Sequence, residues 1–454
     1  MLDKPELLVL GIGVSEYKTD GVLRFEYFCK KFNLNYRVIG EGKIWKGGDM
    51  ANTPGGGQKI NELMDAIKNL DNKLLIICDT FDLFPIASED EILYKFHKIC
   101  TADKVLFSSE ICCWPDKSLA NSYPNYGTKY RFLNSGSIMG YRDNIYQLVS
   151  DAQIADADDD QLFFTKKFLS GDKIVLDYNC ELFQTLNAVD DDITVYKNRA
   201  YNKYTKSYPI FLHGNGSAKR FLNNLENYLD PNPKLNFING FNKEISPQPK
   251  VFFALYINSS LSIDAQEFLK NVFSIKWTNK IIYVYDKTDN QLISNIITSI
   301  NHIYVPNTIN YSFDHFISSD AAYYFLLEQN CIITNENILT DIVPYCNEYH
   351  RVISPLLKQK GSCFTNYWGD LDSKGFYQRS TDYLKLIDYD LRGLWNCPYV
   401  SGAILFHRDI ITNWDIMEPN KFSGDNKDMQ LCYNLRKSTL FMYMCNIDDY
   451  GHLN

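Results

Sequence analysis

Near the N-terminus, continuous apolar runs alternate with stretches of helical periodicity. Leu7–Val14 is almost wholly apolar, and Gly21–Phe32 after it repeats its apolar positions at helical spacing. Tyr36–Ile39 is a short second strand, Gln58–Leu70 is helical, and Lys73–Cys78 is a strand closed by Asp79. Asp90–Cys100 is helical again, and Val105–Ser108 is strand-like. Runs that are apolar on both faces mean strands covered on both sides, so the pattern predicts an α/β fold with a parallel sheet between helices. Ligands of such sheets lie beyond the carboxyl ends of the strands, so the residue after each apolar run is the one to inspect.

Around residues 227–250 the pattern breaks. Pro231, Pro233, Pro247 and Pro249 punctuate a polar stretch, which predicts a domain at 1–230, a linker at 231–249 and a second domain at 250–454. The second domain repeats the plan: Val251–Ile257 as strand, Ala265–Val272 as helix, Lys280–Tyr285 as strand ending in Asp286, and Tyr323–Leu327 as a further strand. Leu440–Cys445 is its last strand-like piece.

Composition narrows the class. The 454 residues are 45% hydrophobic and 22% charged, which is globular. A net charge of -9 argues against a nucleic-acid partner, which needs a basic face. No apolar run approaches the roughly 20 residues that span a bilayer, so no membrane association is expected. The acidic N-terminus and short first apolar run do not make a signal peptide, which points to the cytoplasm, host or viral, rather than the endoplasmic reticulum lumen. The 12 cysteines are scattered with no CxxC pair, so buried thiols are expected rather than a zinc site or disulfide framework.

Several strand ends carry chemistry. Leu75-Ile76-Ile77-Cys78-Asp79-Thr80-Phe81-Asp82 delivers two carboxylates at the end of an apolar strand. Hard oxygen ligands on such a turn suit Mg²⁺ or Mn²⁺ with coordination left for a diphosphate, although a plain turn uses the same residues. Pro54-Gly55-Gly56-Gly57-Gln58-Lys59 precedes a helix and suits either an anion or a simple turn, without the spacing of a Walker A loop. His213-Gly214-Asn215-Gly216, with Lys219 beyond, follows the apolar Pro209–Leu212. Asp156 and Asp158-Asp159-Asp160-Gln161 precede the helical Leu162–Leu169, where carboxylates cap the helix or position an acceptor hydroxyl. Asp190-Asp191-Asp192 reads as a solvated loop. Glu110, Trp114 and Asn134 follow further strands and suit sugar recognition, with Trp114 equally placed to be core. His407-Arg408-Asp409 matches kinase and iron-dioxygenase triplets, but no Gly-rich kinase loop or Asp-Phe-Gly accompanies it and the only later histidine is His452.

Taken together, the chain resembles the glycosyltransferase portion of the multifunctional procollagen lysine hydroxylase/glycosyltransferases. The resemblance rests on Trp45-Lys46-Gly47-Gly48-Asp49, Gly55-Gly56-Gly57-Gln58-Lys59, Asp79-Thr80-Phe81-Asp82, Cys113-Trp114-Pro115, Phe132-Leu133-Asn134-Ser135-Gly136, Asp158-Asp159-Asp160-Gln161-Leu162-Phe163 and His213-Gly214-Asn215-Gly216, in that order. The second half resembles the same enzymes' accessory domain through Phe364-Thr365-Asn366-Tyr367-Trp368-Gly369, Gly375-Phe376-Tyr377, Trp395-Asn396-Cys397-Pro398-Tyr399, Asp428-Met429-Gln430-Leu431-Cys432 and Phe441-Met442-Tyr443.

The resemblance implies a GT-A-type Rossmann-like catalytic domain followed by a GT-A-like accessory domain. It implies Mn²⁺ held by Asp79, Asp82 and His213, and UDP-glucose as donor. Trp45, Lys59, Asp79, Gly214, Asn215, Gly216 and Lys219 fall on the nucleotide side. Glu110, Trp114, Asn134, Asp159 and Asp160 fall at sugar and acceptor positions, Trp114 in a gating loop. The implied acceptor is a collagen-like polypeptide bearing galactosyl-hydroxylysine. The alternatives are direct galactosylation of hydroxylysine from UDP-galactose, or a non-catalytic collagen-binding module. The matched stretches stop before the family's hydroxylase domain, so lysine hydroxylation is not expected. The resemblance allows a homodimer, but the family's dimers rest partly on that domain, so the oligomeric state stays open. Glu328-Gln329-Asn330 after Tyr323–Leu327 lacks a second carboxylate pair, which predicts an accessory half without metal.

Overall fold

Alternate residues of the central strands serve two different cores. Leu7, Val9, Leu74, Ile76 and Cys78 pack into one apolar cluster with Phe25, Cys29, Ile92 and Phe96. Leu8, Leu10, Ile12, Leu75 and Ile77 pack into another with Ile60, Leu63, Ile145, Val149 and Phe164. Side chains on a strand point to opposite faces, so a continuously apolar strand is one buried on both sides. The computed structural model of the chain describes residues 6–50, 53–71, 73–229, 247–258, 262–288, 301–304, 311–413 and 427–454. It divides into two units, Met1–Leu229 and Asp230–Asn454. Residues 231–246 of the expected linker lie outside the described residues.

The first unit is built from β1 (Leu7–Ser15), α1 (Asp20–Lys31), β2 (Tyr36–Glu41), α2 (Gly57–Ile67), β3 (Leu74–Asp79), β4 (Leu83–Pro85), α3 (Glu89–Ile99), β5 (Val105–Glu110), β6 (Phe132–Tyr141), α4 (Arg142–Val149), α5 (Asp160–Leu169), β7 (Ile174–Leu176), β8 (Phe183–Thr185), β9 (Ile193–Tyr196), β10 (Arg199–Asn202), β11 (Phe211–His213) and α6 (Lys219–Leu229). Six strands form the main sheet in the order β2-β1-β3-β6-β5-β7. The sheet is Rossmann-like but not wholly parallel as the sequence pattern predicts, because β6 runs antiparallel to both β3 and β5. Periodicity reports burial on both faces and is blind to strand direction.

Two local features shape the carboxyl ends of these strands. Between β5 and β6 the register jumps from Phe107↔Ile138 to Ser108↔Asn134, so Ser135, Gly136 and Ser137 bulge out of that ladder. Bulges of this kind re-aim side chains beside sites. A second, three-stranded sheet in the order β4-β11-β8 sits just past β3. Its register pairs His213 with Leu83 on one side and with Thr185 on the other.

The second unit repeats this core. Strands β12 (Val251–Ile257), β13 (Lys280–Asp286), β14 (Asn301–Tyr304) and β15 (Tyr323–Glu328) are parallel, in the order β14-β13-β12-β15. Ala403–His407 then adds antiparallel to β15, as β6 adds to β3. Val352–Pro355, Met442–Cys445 and Leu394–Cys397 extend the sheet to eight strands. Helix α7 (Ser262–Ser274) and helix α8 (Lys427–Lys437) belong to this unit. Gly451–Leu453 forms a last strand paired with Cys331–Ile333, so the chain continues in register beyond Leu440–Cys445 and carries His452 in a ladder.

Candidate metal centre

β3 delivers Asp79 at its final residue, next to Ile12 of β1. The chain then turns, with Thr80 Oγ1 donating to the Ile12 carbonyl at 2.9 Å. It re-enters as β4 after Asp82, and the Gly214 N–H donates to the Asp82 carbonyl at 2.8 Å, which stitches β11 to the turn. Asp79, Asp82 and His213 thereby offer ligand atoms that all lie within 4.8 Å of one another, the one such His, Cys, Asp and Glu group found among the described residues. His213 Nε2 lies 3.5 Å from Asp82 Oδ1 and 3.9 Å from Asp79 Oδ2.

The imidazole is held from behind. His213 Nδ1 is 3.2 Å from Asn134 Oδ1, an oxygen that also receives the Gly136 N–H at 3.0 Å. Asn134 Nδ2 points the other way, donating to Glu110 Oε1 at 3.1 Å. With its amide oriented so, Asn134 accepts from Nδ1–H, and His213 Nε2 faces the two carboxylates, where loss of its proton would free a lone pair for a metal. That is the second-sphere arrangement of a metal-ligating histidine. Gly136 makes room for the ring, since a Cβ there would meet His213 Cε1 at 2.2 Å. Two carboxylates and one neutral imidazole form a mixed O/N set that suits a first-row divalent ion, so the residues present fit Mn²⁺.

Two lysines flank the cluster. Lys59 Nζ sits 2.7 Å from Asp160 Oδ2 and 3.2 Å from Asp79 Oδ1. Lys219 Nζ sits 3.2 Å from Asp82 Oδ2. Burial penalises the Lys59 ammonium, but Asp160 and Asp79 outweigh it and hold its pKa above the usual value. Burial likewise opposes ionisation of Asp82, yet Lys219 and His213 overcome it and keep the carboxyl well below the ordinary range. Burial pushes Asp79 upward despite Lys59 and His213. For His213, Asp82 and Asp79 outweigh burial and raise the pKa.

Asp159 and Asp160 have different jobs. Asp159 is the N-cap of α5; its carboxylate accepts from the Leu162 N–H at 2.6 Å and the Gly55 N–H at 3.2 Å. It ties the Gly-rich segment to the helix and shows why three carboxylates precede this helix. Asp160 is buried, and its carboxylate takes Lys59 and the Ser135 hydroxyl at 3.1 Å. Gly56, with a φ of +105°, leads into α2, where a Cβ would meet Asp160 Oδ1 at 2.7 Å. Asp156 accepts from Asn61 Nδ2 at 2.8 Å. Asp192 is no solvated loop residue, because it pairs with Lys129 and receives the Tyr130 hydroxyl, both at 2.6 Å.

Glu110 is buried and gathers Asn134, Gln161 and Asn215 at 3.1, 2.8 and 3.2 Å. Burial raises its pKa against these donors. Asn215 Oδ1 accepts the N–H groups of Leu186 and Asn187. Gly214 packs where a Cβ would meet Leu222 at 2.9 Å, and Gly216 holds a φ of +59°. Trp114 is 44% exposed, so it is surface rather than core. Its carbonyl accepts from Gln161 Nε2 at 3.2 Å. Trp45 is half-buried against the α2 face and donates Nε1–H to the Gly48 carbonyl at 2.7 Å. The sequence reading missed Gln161, whose amide joins Glu110, Trp114, Asn134 and the Ser135 N–H. Its place beside the aspartate run was the available signal.

The second unit shows what became of the same positions. Glu328 ends β15 as Asp79 ends β3. Asn330 precedes Cys331 as Asp82 precedes Leu83, and Leu453 pairs with Cys331 as His213 pairs with Leu83. An amide and an alkyl group thus stand where Asp82 and the imidazole stand in the first unit. A carboxylate pair does form, contrary to the expectation from Glu328-Gln329-Asn330, because Asp428 arrives from α8. The Tyr311 hydroxyl bonds both Glu328 and Asp428, and Lys427 pairs with Glu328.

Comparison with known proteins places this geometry in a family. Residues 3–237 match the model described as the PLOD GT domain, and residues 309–454 match the N-terminal domain of glycosyltransferase family 25. The molecule is thus a glycosyltransferase-type α/β protein in both halves. The chain belongs to the PLOD glycosyltransferase-domain family. An uncharacterized protein of Acanthamoeba polyphaga mimivirus is 49% identical over 98% of this chain and 98% of its own length. Human procollagen-lysine,2-oxoglutarate 5-dioxygenase 2 is 30% identical over 99% of this chain and 65% of its own length. The human multifunctional procollagen lysine hydroxylase and glycosyltransferase LH3 gives the same three values. The chain therefore spans about 65% of the length of those human relatives. Among solved structures, a glycosyltransferase involved in glycosylation of the PBCV-1 major capsid covers 48% of this chain and 97% of its own, at 12% identity and a TM-score of 0.30.

Proposed function

We propose that the first unit transfers glucose from UDP-glucose to galactosyl-hydroxylysine of a collagen-like polypeptide, with Mn²⁺ and with retention at the anomeric carbon. The observation that carries the reading is the convergence of Asp79, Asp82 and His213 within 4.8 Å, at the carboxyl end of a central strand. The name of the human relative LH3 supports a collagen-lysine acceptor.

A bound Mn²⁺ supplies charge neutralisation for the departing diphosphate. Asp79, Asp82 and His213 Nε2 would hold the ion, and Asn134 fixes the imidazole tautomer suited to it. Lys59 and Lys219 add positive charge on the same rim, where preorganised charge favours the transition state. Asp160, bonded to Ser135, orients the acceptor hydroxyl and takes its proton, while Asp159 fixes the Gly-rich turn through Gly55. Trp114 offers an exposed ring face to a pyranose, and Glu110 orients Asn134 and Asn215 beside it. The second unit acts as support, because Asn330 and Leu453 replace the Asp82 and His213 positions.

The test is an assay with Mn²⁺, in which UDP-glucose and UDP-galactose are each offered to hydroxylysyl and galactosyl-hydroxylysyl collagen peptides. Glucose transfer to the galactosylated peptide is expected. Galactose transfer to bare hydroxylysine assigns the earlier step, and no transfer in any pairing favours a collagen-binding module.

A further inference from the structure

On a chain of net charge -9, the stretch from Ile193 to Pro209 carries Lys197, Arg199, Lys203 and Lys206 and no acidic residue. It folds as the β9–β10 hairpin and its return, and beside it opens a cleft of about 500 Å³ lined in part by Lys95, Tyr196, Lys197, Arg199, Lys206 and Tyr208. Glu91 and Glu181 also face it. Glu91 is taken by Arg199 through two hydrogen bonds of 3.0 and 2.8 Å. Lys95 donates to the carbonyls of Glu181 and Tyr208. Lys197 and Lys206 are exposed, and no carboxylate among the described residues pairs with either. The cleft thus keeps a positive surplus beside two tyrosine rings that are 51% and 38% exposed.

The same two lysines also sit on left-handed backbone. Lys197 and Asn198 form the hairpin turn with φ values of +49° and +60°, and Lys206 has a φ of +57°. Left-handed backbone favours Gly or Asn, so a long side chain there is disfavoured. Strained positions that keep such a side chain point to a use for it.

The cleft and the metal cluster lie at the two ends of one short chain segment. Glu181 lies at the cleft, two residues before β8, and Thr185 at the far end of β8 pairs with His213. The four residue steps from Glu181 to Thr185, of which only the last two lie in β8, span at most about 13 Å, a distance that about four residues of an extended acceptor cover. We infer that this cleft is a docking site for an acidic, extended segment of the acceptor polypeptide, a few residues away from the residue being modified. The inference deepens the transferase reading and rests on it for the identity of the ligand. Carboxylates of the segment meet Lys197 and Lys206, and its backbone and apolar side chains lie on Tyr196 and Tyr208.

The experiment measures binding of fluorescent peptides made of Gly-Pro-Glu or Gly-Pro-Gln triplets by anisotropy, without donor or metal, alongside transfer to free galactosyl-hydroxylysine. The Lys197→Glu/Lys206→Glu protein is expected to weaken Gly-Pro-Glu binding by roughly tenfold and to leave Gly-Pro-Gln binding unchanged. Lys197→Met/Lys206→Met, which keeps the stems, is expected to act in the same direction, and high salt is expected to erase the difference. Transfer to the free amino acid is expected to be unaltered. Wild-type protein that fails to prefer the acidic peptide, or variants that bind it as tightly as wild type, would overturn the inference. Charge-dependent peptide binding by a protein that transfers no sugar would uphold the docking site and defeat the transferase reading instead.

Discussion

Asn134 Oδ1 and His213 Nδ1 stand 3.2 Å apart, 79 residues apart in sequence. Asn134, the ladder residue just before the bulge in β6, supplies one and the short strand β11 the other, and their hydrogen bond aims Nε2 at the carboxylates. Asn134→Ala removes the tautomer lock, and loss of such a partner weakens metal affinity by about 10- to 100-fold. Calorimetric Mn²⁺ titration checks this. Affinity equal to wild type in a folded variant would place the lock elsewhere.

Gly136 is the clearance for that imidazole. In Gly136→Ala the new methyl lies 2.2 Å from His213 Cε1, so the ring or the bulge must move. A stability loss of about 1–3 kcal/mol by denaturant unfolding is expected, with Mn²⁺ binding lost as well.

Lys59 bridges two carboxylates in a buried setting. Lys59→Met leaves Asp79 and Asp160 facing each other without their cation, which costs about 3–5 kcal/mol. Because Mn²⁺ can neutralise Asp79, the ion is expected to raise the melting temperature of this variant by more than it raises that of wild type. Equal shifts would mean that Lys59 and the ion do not share that carboxylate.

The second unit carries its own pH signature. Burial and the adjacent Glu328 push the Asp428 carboxyl up to about 7. A carboxyl raised in the folded state binds more protons there than when unfolded, so its contribution is fully present below the unfolded value near 3.8 and is lost as pH climbs through about 7. Urea unfolding of wild type between those limits is expected to show stability falling with pH, and Asp428→Asn is expected to flatten the slope. A slope unchanged by the substitution would assign it to other groups.

Both α/β units were legible in the sequence because β1, β3, β12 and β15 are continuously apolar, and burial on two faces leaves that trace. The antiparallel direction of β6 was not, since burial patterns carry no sense of direction. The short strands β4, β8 and β11 are three residues each, too few for a period to register, yet they bring His213 to Asp82. Asp79 and Asp82 could be nominated from one turn. Beyond its place beside the aspartate run, the contacts of Gln161 join distant segments, as does the assembly of Asp428 with Glu328, and no local pattern encodes them.

The most direct test of the central claim is an equilibrium Mn²⁺ titration read by electron paramagnetic resonance, with and without UDP, on wild type and on Asp82→Asn. One tight ion per chain, bound more tightly with UDP and lost in Asp82→Asn, is the predicted result. An ion retained at full affinity in Asp82→Asn, or no tight binding by the wild-type chain with UDP present, would contradict it.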